Sequence, residues 1–124
     1  MLSLVPSTSM KKKIILVVDD EKDCCSILDS YLTRYGHEVD VAYDGEEARQ
    51  LLGRKNYDYI FFDCNMPHLS GIDLIKVIKE KDPAAKRIMI SGYALIDEDF
   101  VKELGVDLFL RKPVTLEEIK KAIE

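Results

Sequence analysis

Several things are missing from this 124-residue chain, and each absence removes a class of protein. No apolar run approaches the ~20 residues that a membrane-spanning helix needs, so no membrane partner is expected. The opening "MLSLVPSTSM" has neither the charged n-region nor the long apolar h-region of a signal peptide. Cysteine is scarce and odd in number: Cys24, Cys25 and Cys64 follow no disulfide framework, which suits a reduced, cytoplasmic setting. His37 and His68 are not spaced with these cysteines as soft-metal ligands. There is no G-x-x-x-x-G-K-[ST] loop and no glycine-rich kinase loop, which disfavours ATP as a directly bound phosphoryl donor. Positive charge is the minority sign, with 18 Lys and Arg against 23 Asp and Glu, and a net charge of −5 argues against direct nucleic-acid binding. The basic run Lys11-Lys12-Lys13 reads as a solvated gatekeeper before a buried strand. No linker, internal repeat or low-complexity segment divides the chain.

What is present has the balance of one globular domain, with 47% hydrophobic and 33% charged residues. Residues 1–11 read as a disordered leader, with Met10 a candidate true start, and 12–124 as the domain. The brevity of the last helix leaves room for a longer parent protein beyond Glu124. Apolar runs and helical patterns alternate throughout. "KIILVV" (13–18) is a short, wholly apolar run, the mark of a strand covered on both faces. In the next segment Cys24, Ile27, Leu28, Tyr31 and Leu32 recur at helical spacing and are expected to form its buried stripe, ended by Gly36. "HEVDVA" (37–42) alternates as an edge strand should, and Asp44-Gly45 makes a turn before "EEARQLLGR". "YIFF" (59–62), "RIMIS" (87–91) and "DLFL" (107–110) are the remaining strands. "GIDLIKVIKEK", closed by Asp82-Pro83, and "DEDFVKEL", capped by Gly105, are helices; a last helix begins at Thr115, with Glu118 completing a capping box.

Strand-helix repeated five times predicts an α/β (βα)5 doubly wound, five-stranded parallel sheet with right-handed crossovers. The alternating second strand wants an edge and the all-apolar strands want the middle. Order 2-1-3-4-5, the flavodoxin-like arrangement, satisfies both and puts the topological switch between the first and third strands.

Ligands in such sheets bind beyond the carboxyl ends of the strands. The first strand runs into Asp19-Asp20-Glu21, the third into Asp63, the fourth into Ser91-Gly92 and the fifth toward Lys112-Pro113. Two carboxylates ~4 Å apart repel by roughly 4 kcal/mol at an effective dielectric near 20. Such a cluster protonates, recruits a lysine or binds a cation. Lys112 supplies one positive charge, and a hard divalent ion such as Mg2+ complements the rest. Each residue alone has a plainer reading: helix N-capping for Asp19, Asp20 and Glu21, a loop residue for Ser91, a surface lysine for Lys112. Asp63 resists one, since a carboxylate ending "YIFF" needs a reason. The plain readings fail together, because all of these residues fall on the rim the fold reserves for ligands. A carboxylate there can attack phosphorus to form an acyl phosphate, with cation, ammonium and hydroxyl spread over the phosphoryl oxygens.

These segments match a family. "VVDDE", "FFDCNMPHLSG", "MISGYA" and "LRKPV" arrive in the order of the receiver domain of two-component response regulators, typified by the chemotaxis response regulator, which the chain resembles from about Lys12 onward. The resemblance implies that Asp63 is the phosphoacceptor, charged by a phosphohistidine on a sensor histidine kinase or histidine phosphotransfer protein. It implies that Asp20 ligates Mg2+ directly (Mn2+ as a substitute), Asp19 through water, and Asn65 through its backbone carbonyl. Ser91 and Lys112 would contact the phosphoryl oxygens, Phe109 would be the switch aromatic, and the bond before Pro113 would be cis. The expected function is a phosphorylation-activated signalling switch. It would have self-phosphorylation and autodephosphorylation activity only, and would act on a downstream effector or in self-dimerisation through the surface of the fourth helix, fifth strand and last helix.

Some positions depart from the commonest pattern. Ser91 stands for threonine and Gly92 for alanine, which leaves the site more open; Phe109 lacks a tyrosine hydroxyl; Tyr93 is placed to hinder a hydrolytic water. Cys24 is expected in the core, Cys64 beside the phosphoacceptor is a minor candidate for redox modulation, and His68 reads as a loop residue. The rival readings are a passive phosphorelay intermediate, an aspartyl-phosphate phosphatase, and a flavin or nucleotide binder. The phosphatase would want an acid where Asn65 stands. The nucleotide binder would want a small-residue loop in place of "DDEKD".

Overall fold

Each apolar run becomes a strand whose position follows from how many of its faces are apolar. The computed structural model describes residues 11–64, 70–92 and 95–124; the expected leader through residue 10 and the expectations for Asn65, Met66, Pro67, His68 and Tyr93 lie outside the described residues. Five parallel strands, β1 (Ile14–Val18), β2 (Glu38–Ala42), β3 (Tyr59–Asp63), β4 (Lys86–Ser91) and β5 (Leu108–Arg111), form one sheet in the order β2-β1-β3-β4-β5. All five residues of β3 are buried, while β2 at the edge keeps four of its five only half-buried, as the contrast between "YIFFD" and "EVDVA" requires.

The helices α1 (Lys22–Arg34), α2 (Gly45–Leu52), α3 (Gly71–Lys81), α4 (Glu98–Leu104) and α5 (Leu116–Ala122) cover both faces. Strand alternation divides the core in two. Leu16, Val18, Ile60, Phe62, Met89 and Phe109 pack with α2, α3 and α4. Ile15, Val17, Phe61, Ile88, Ile90 and Leu110 pack with α1 and α5. Burying a side chain such as Phe61 or Phe62 stabilises the fold by roughly 1.5–3 kcal/mol relative to exposure.

The helix ends follow the expected chemistry. The Ser70 hydroxyl accepts from Asp73 N–H at the start of α3, and Thr115 with Glu118 forms the capping box of α5. Gly36 and Gly105 carry the positive φ angles (90° and 122°) that end α1 and α4. Asp44-Gly45 is more than a turn, because Asp44 is the N-cap of α2, accepting from Glu47 N–H, and Gly45 is the first helical residue.

Two packing expectations are corrected. In α1 the buried cysteine is Cys25 (1% exposed), whereas Cys24 is half-buried and Ile27 is 61% exposed. The buried stripe runs Cys25, Leu28, Leu32, narrower than an apolar count suggests, because α1 flanks edge strand β2 and the sheet covers one side of it only. Strand β5 starts one residue later than expected and includes Arg111, since Asp107 hydrogen bonds to Arg87 in front of the strand.

Candidate functional site

The central strands end where their apolar residues run out, and the next residues define one rim. Asp19 follows β1, with its backbone N–H donating to Ala42 O of neighbouring β2. Asp63 is the last residue of β3, paired in register with Ile90 of β4. Both carboxylates are buried, Asp19 at 4% and Asp63 at 7% exposure. Their side chains leave on the face of α1 and α5, where Lys112 reaches them from beyond β5. The Lys112–Pro113 bond is cis.

The Lys112 Nζ lies 3.0 Å from Asp19 Oδ2, 2.8 Å from Glu21 Oε1 and 3.3 Å from Asp63 Oδ2. An ammonium has three donors, and three carboxylates take them. Burial pulls the Lys112 pKa down, but hydrogen bonds to Glu21 and Asp19 and the charges of Asp63 and Asp19 outweigh it, raising it above the ordinary lysine value. The same hydrogen bond and charge hold the Glu21 pKa below its usual range. Lysine is thereby kept cationic, and is no surface side chain.

N-capping does not account for these acids. Glu21 occupies the N-cap of α1 without a side-chain capping bond, its carboxylate turned to Lys112 instead. Asp19 Oδ1 accepts from Glu21 N–H at 2.9 Å, which orients the carboxylate toward the rim. Ligand atoms of Asp19, Asp20 and Asp63 all lie within 4.8 Å of one another. Lys112 compensates one of the four carboxylates, leaving a formal excess of three negative charges.

The donor set fits a hard cation. Asp19, Asp20 and Asp63 present oxygen only, as Mg2+ or Ca2+ prefers. A second grouping, Asp19, Glu21 and Cys24, fits less well, because burial, partly offset by Lys112, raises the Cys24 thiol pKa and keeps it protonated. Cys25 is pushed further, to about 12, by burial and then by the charge of Asp19, and its thiol donates to Asp19 O within the core.

The hydroxyl and the aromatic lie on the opposite face of the sheet. Ser91 ends β4 at 1% exposure. The register Asp63↔Ile90 makes Cys64 the lateral neighbour of Ser91, and the Cys64 Sγ stands 2.9 Å from Ser91 Oγ, its thiol donating. Phe109, paired with Met89, is buried on that same face, and the Arg111 guanidinium sits 5.0 Å from its ring centroid.

Gly71 has a role beyond opening α3. A Cβ there would lie 2.4 Å from Cys64 Cα and 2.9 Å from Asp63 O, so only glycine lets the helix start against the end of β3. Its N–H donates to Cys64 O at 3.0 Å. Gly92 is different: a Cβ would meet only the Lys112 stem at 3.7 and 3.8 Å, an ordinary contact.

The rim thus brings together Asp19, Asp20, Asp63 and Lys112 as expected, with Ser91 at the end of β4 and Gly92 just after it, while Phe109 lies within β5 on the opposite face. Glu21 as a Lys112 partner and Cys64 as a Ser91 partner were not foreseen. Strand register predicts the second, since Cys64 continues β3 opposite Ser91. Nothing in the residue spacing signals the first, which depends on how far Lys112 reaches.

A doubly wound α/β domain with a lysine-bridged carboxylate cluster at its topological switch point defines a narrow class. A model of the response regulator receiver domain matches residues 15–124. The chain is 34% identical over 119 residues to the alkaline phosphatase synthesis transcriptional regulatory protein PhoP of Bacillus subtilis (strain 168), covering 93% of this chain and 48% of PhoP. A response regulator from Burkholderia pseudomallei, solved with a phosphorylated aspartic acid, calcium ion and citrate, superposes with a TM-score of 0.84 at 31% identity, covering 91% of this chain and 67% of that one. The receiver domain of sensor histidine kinase PA1611 from Pseudomonas aeruginosa PAO1, with a magnesium ion in its cleft, shares the fold at a TM-score of 0.80 and 24% identity, covering 90% of this chain and 94% of that one. The chain spans about half or less of the length of the curated relatives it matches. It belongs to the response regulator receiver domain family.

Proposed function

We propose that this domain is the phosphoacceptor switch of a two-component system, with Asp63 as the phosphorylated residue. The observation that carries the reading is the buried Asp63 carboxylate, 3.3 Å from a cationic Lys112 and clustered with Asp19 and Asp20. A carboxylate oxygen of Asp63 attacks phosphorus and the bond to the donor imidazole nitrogen of a sensor histidine kinase or phosphotransfer protein breaks, its electron pair staying on that nitrogen. Asp19, Asp20 and Asp63, with the backbone carbonyl of Asn65, would hold Mg2+, which supplies charge neutralisation between anionic nucleophile and anionic phosphoryl group. Lys112 exchanges a carboxylate for a phosphoryl oxygen, and Ser91 donates its hydroxyl to another.

The output surface is that of α4, β5 and α5. Phe100 on α4 and Leu116 at the start of α5 are 50% and 48% exposed, and Leu95 ahead of α4 is 83% exposed. Exposed apolar side chains of this size suit a protein partner, an effector or a second copy. Ser91 and Phe109 share the sheet face that α4 covers, so movement of the hydroxyl reaches this surface through packed side chains.

Incubation with acetyl phosphate and Mg2+ followed by intact-mass measurement tests the reading. The expected result is a single adduct of about 80 Da, one phosphoryl group, absent in Asp63→Asn and absent without metal. An unmodified wild-type chain under these conditions would sink it.

A further inference from the structure

The Cys64 thiol is the least expected group at the rim, because its hydrogen bond goes to the Ser91 hydroxyl rather than to a carboxylate of the cluster. Three observations bear on what it does. The Sγ of Cys64 is 2.9 Å from Ser91 Oγ, in a buried contact. The backbone of Cys64 is pinned: its carbonyl accepts from Gly71 N–H at 3.0 Å, and the α3 start lies so close that a Cβ on Gly71 would stand 2.4 Å from Cys64 Cα. Strand alternation puts Asp63 on the α1/α5 face and Cys64 and Ser91 on the α3/α4 face.

A Ser91 hydroxyl that engages a phosphoryl group on Asp63 has to turn around the end of β4 toward the other face. The thiol can only swing about its own Cα–Cβ bond, because its backbone is held between β3 and α3, and it leaves the strand on the α3/α4 face. Reaching the phosphoryl oxygen and keeping the thiol contact are therefore alternatives for one oxygen atom. We propose that Cys64 is a positioning residue that holds the Ser91 hydroxyl on the α3/α4 face, so that the Cys64–Ser91 hydrogen bond opposes engagement of a phosphoryl group at Asp63 and sets how tightly the site responds.

This rests on Asp63 being the phosphoryl site, and the experiment separates the two. Beryllofluoride, a phosphoryl mimic, is titrated in the presence of Mg2+ into wild type, Cys64→Ala, Cys64→Val and Cys64→Ser, with binding followed by amide chemical shifts in two-dimensional NMR. Each variant is repeated in a Ser91→Ala background. Losing one net hydrogen bond from the competing arrangement is worth about fivefold in affinity. Cys64→Ala and Cys64→Val should each bind beryllofluoride about fivefold more tightly than wild type, Cys64→Ser should restore wild-type affinity, and none should differ from its parent once Ser91 is alanine. A purely packing role for Cys64 would lower thermal stability without this pattern, and its effect would persist in the Ser91→Ala background. Unchanged or weaker binding in both apolar variants would overturn the proposal, weaker binding meaning that the thiol prepares Ser91 rather than restrains it. Should Cys64→Ala not fold, the closer volume match of Cys64→Val carries the test, with Cys64→Ser as its control. Failure of the wild type itself to bind the mimic would instead strike the phosphoacceptor reading.

Discussion

The two rims of the sheet carry similar residues and use them in opposite ways. At the amino rim four ionisable side chains each accept from a backbone N–H at or just before the start of a neighbouring strand. His37 Nδ1 accepts from Lys13 N–H, Asp58 from Ile14 N–H, Asp82 from Tyr57 N–H and Asp107 from Arg87 N–H, at 2.7 to 3.0 Å. Along the sheet from β2 to β5 this reads as a staircase, in which the segment leading into one strand caps the first free N–H of its neighbour. At the carboxyl rim Asp19, Glu21 and Asp63 converge on one ammonium, with Asp20 alongside. Acids that satisfy peptide donors close a structure. Acids that share a single cation leave charge for something else to neutralise, which suits a cation-binding site.

The contrast makes the two rims separable by mutation. The largest stability effect is expected at the amino rim. Asp82 is buried (3% exposed), and Asp82→Ala leaves the Tyr57 N–H without its acceptor, so it should destabilise the domain by about 3 kcal/mol in urea unfolding. It should still form the phosphoryl adduct once folded; a lost adduct at full occupancy of the native state would break the division between rims. At the carboxyl rim the sign reverses. Asp63→Asn relieves repulsion within the cluster and should stabilise the metal-free protein by about 1 kcal/mol. Mg2+ should raise the unfolding midpoint of wild type and much less that of Asp63→Asn. A destabilised asparagine variant in chelator would mean that the pair with Lys112 outweighs the repulsion.

A smaller effect separates the rims by pH. His37 accepts from Lys13 N–H on Nδ1, which places its proton on a buried Nε2 that has no partner among the described residues. Burial, and then the charge of Lys13, lowers its pKa from the ordinary 6.5. A group whose folded pKa is depressed contributes stability that is complete above the unfolded value and is lost as pH falls through the folded one. Stability should therefore fall as pH drops below 6.5, by at most one proton's linkage at this site. His37→Asn, which keeps an acceptor for Lys13 N–H and cannot titrate, should flatten that part of the curve in unfolding measured at stepped pH. The smallest effect is expected at Gly92, where a Cβ has room beside the Lys112 stem. Gly92→Ala should change stability by less than ~0.5 kcal/mol, and a larger loss would show that the loop requires glycine for its conformation.

Much of this is legible in the residues alone. The all-apolar "YIFF" demanded a central strand, "HEVDVA" an edge, and the carboxylate ending the first of these demanded a reason. Helix starts at Ser70 and Thr115 and stops at Gly36 and Gly105 follow from local hydrogen bonding and backbone freedom, which a few consecutive residues contain. Less was legible where a contact joins distant segments. Cys24 and Cys25 are adjacent apolar residues, and only the placement of the sheet against α1 decides that the second is core. Gly71 looks like a helix start, yet its necessity comes from the end of β3 passing within reach of a Cβ.

The sequence by itself determined the order of strands, the identity of the central ones and the set of polar residues delivered to the carboxyl rim, because periodicity and composition act through neighbours along the chain. The tertiary structure alone decided which of those residues touch. Lys112 bridges Asp19, Glu21 and Asp63 across 93, 91 and 49 positions, and Cys64 meets Ser91 across 27. The choice of partners depends on side-chain reach and on which face of the sheet each residue leaves, and those are properties of the packed sheet rather than of any local segment.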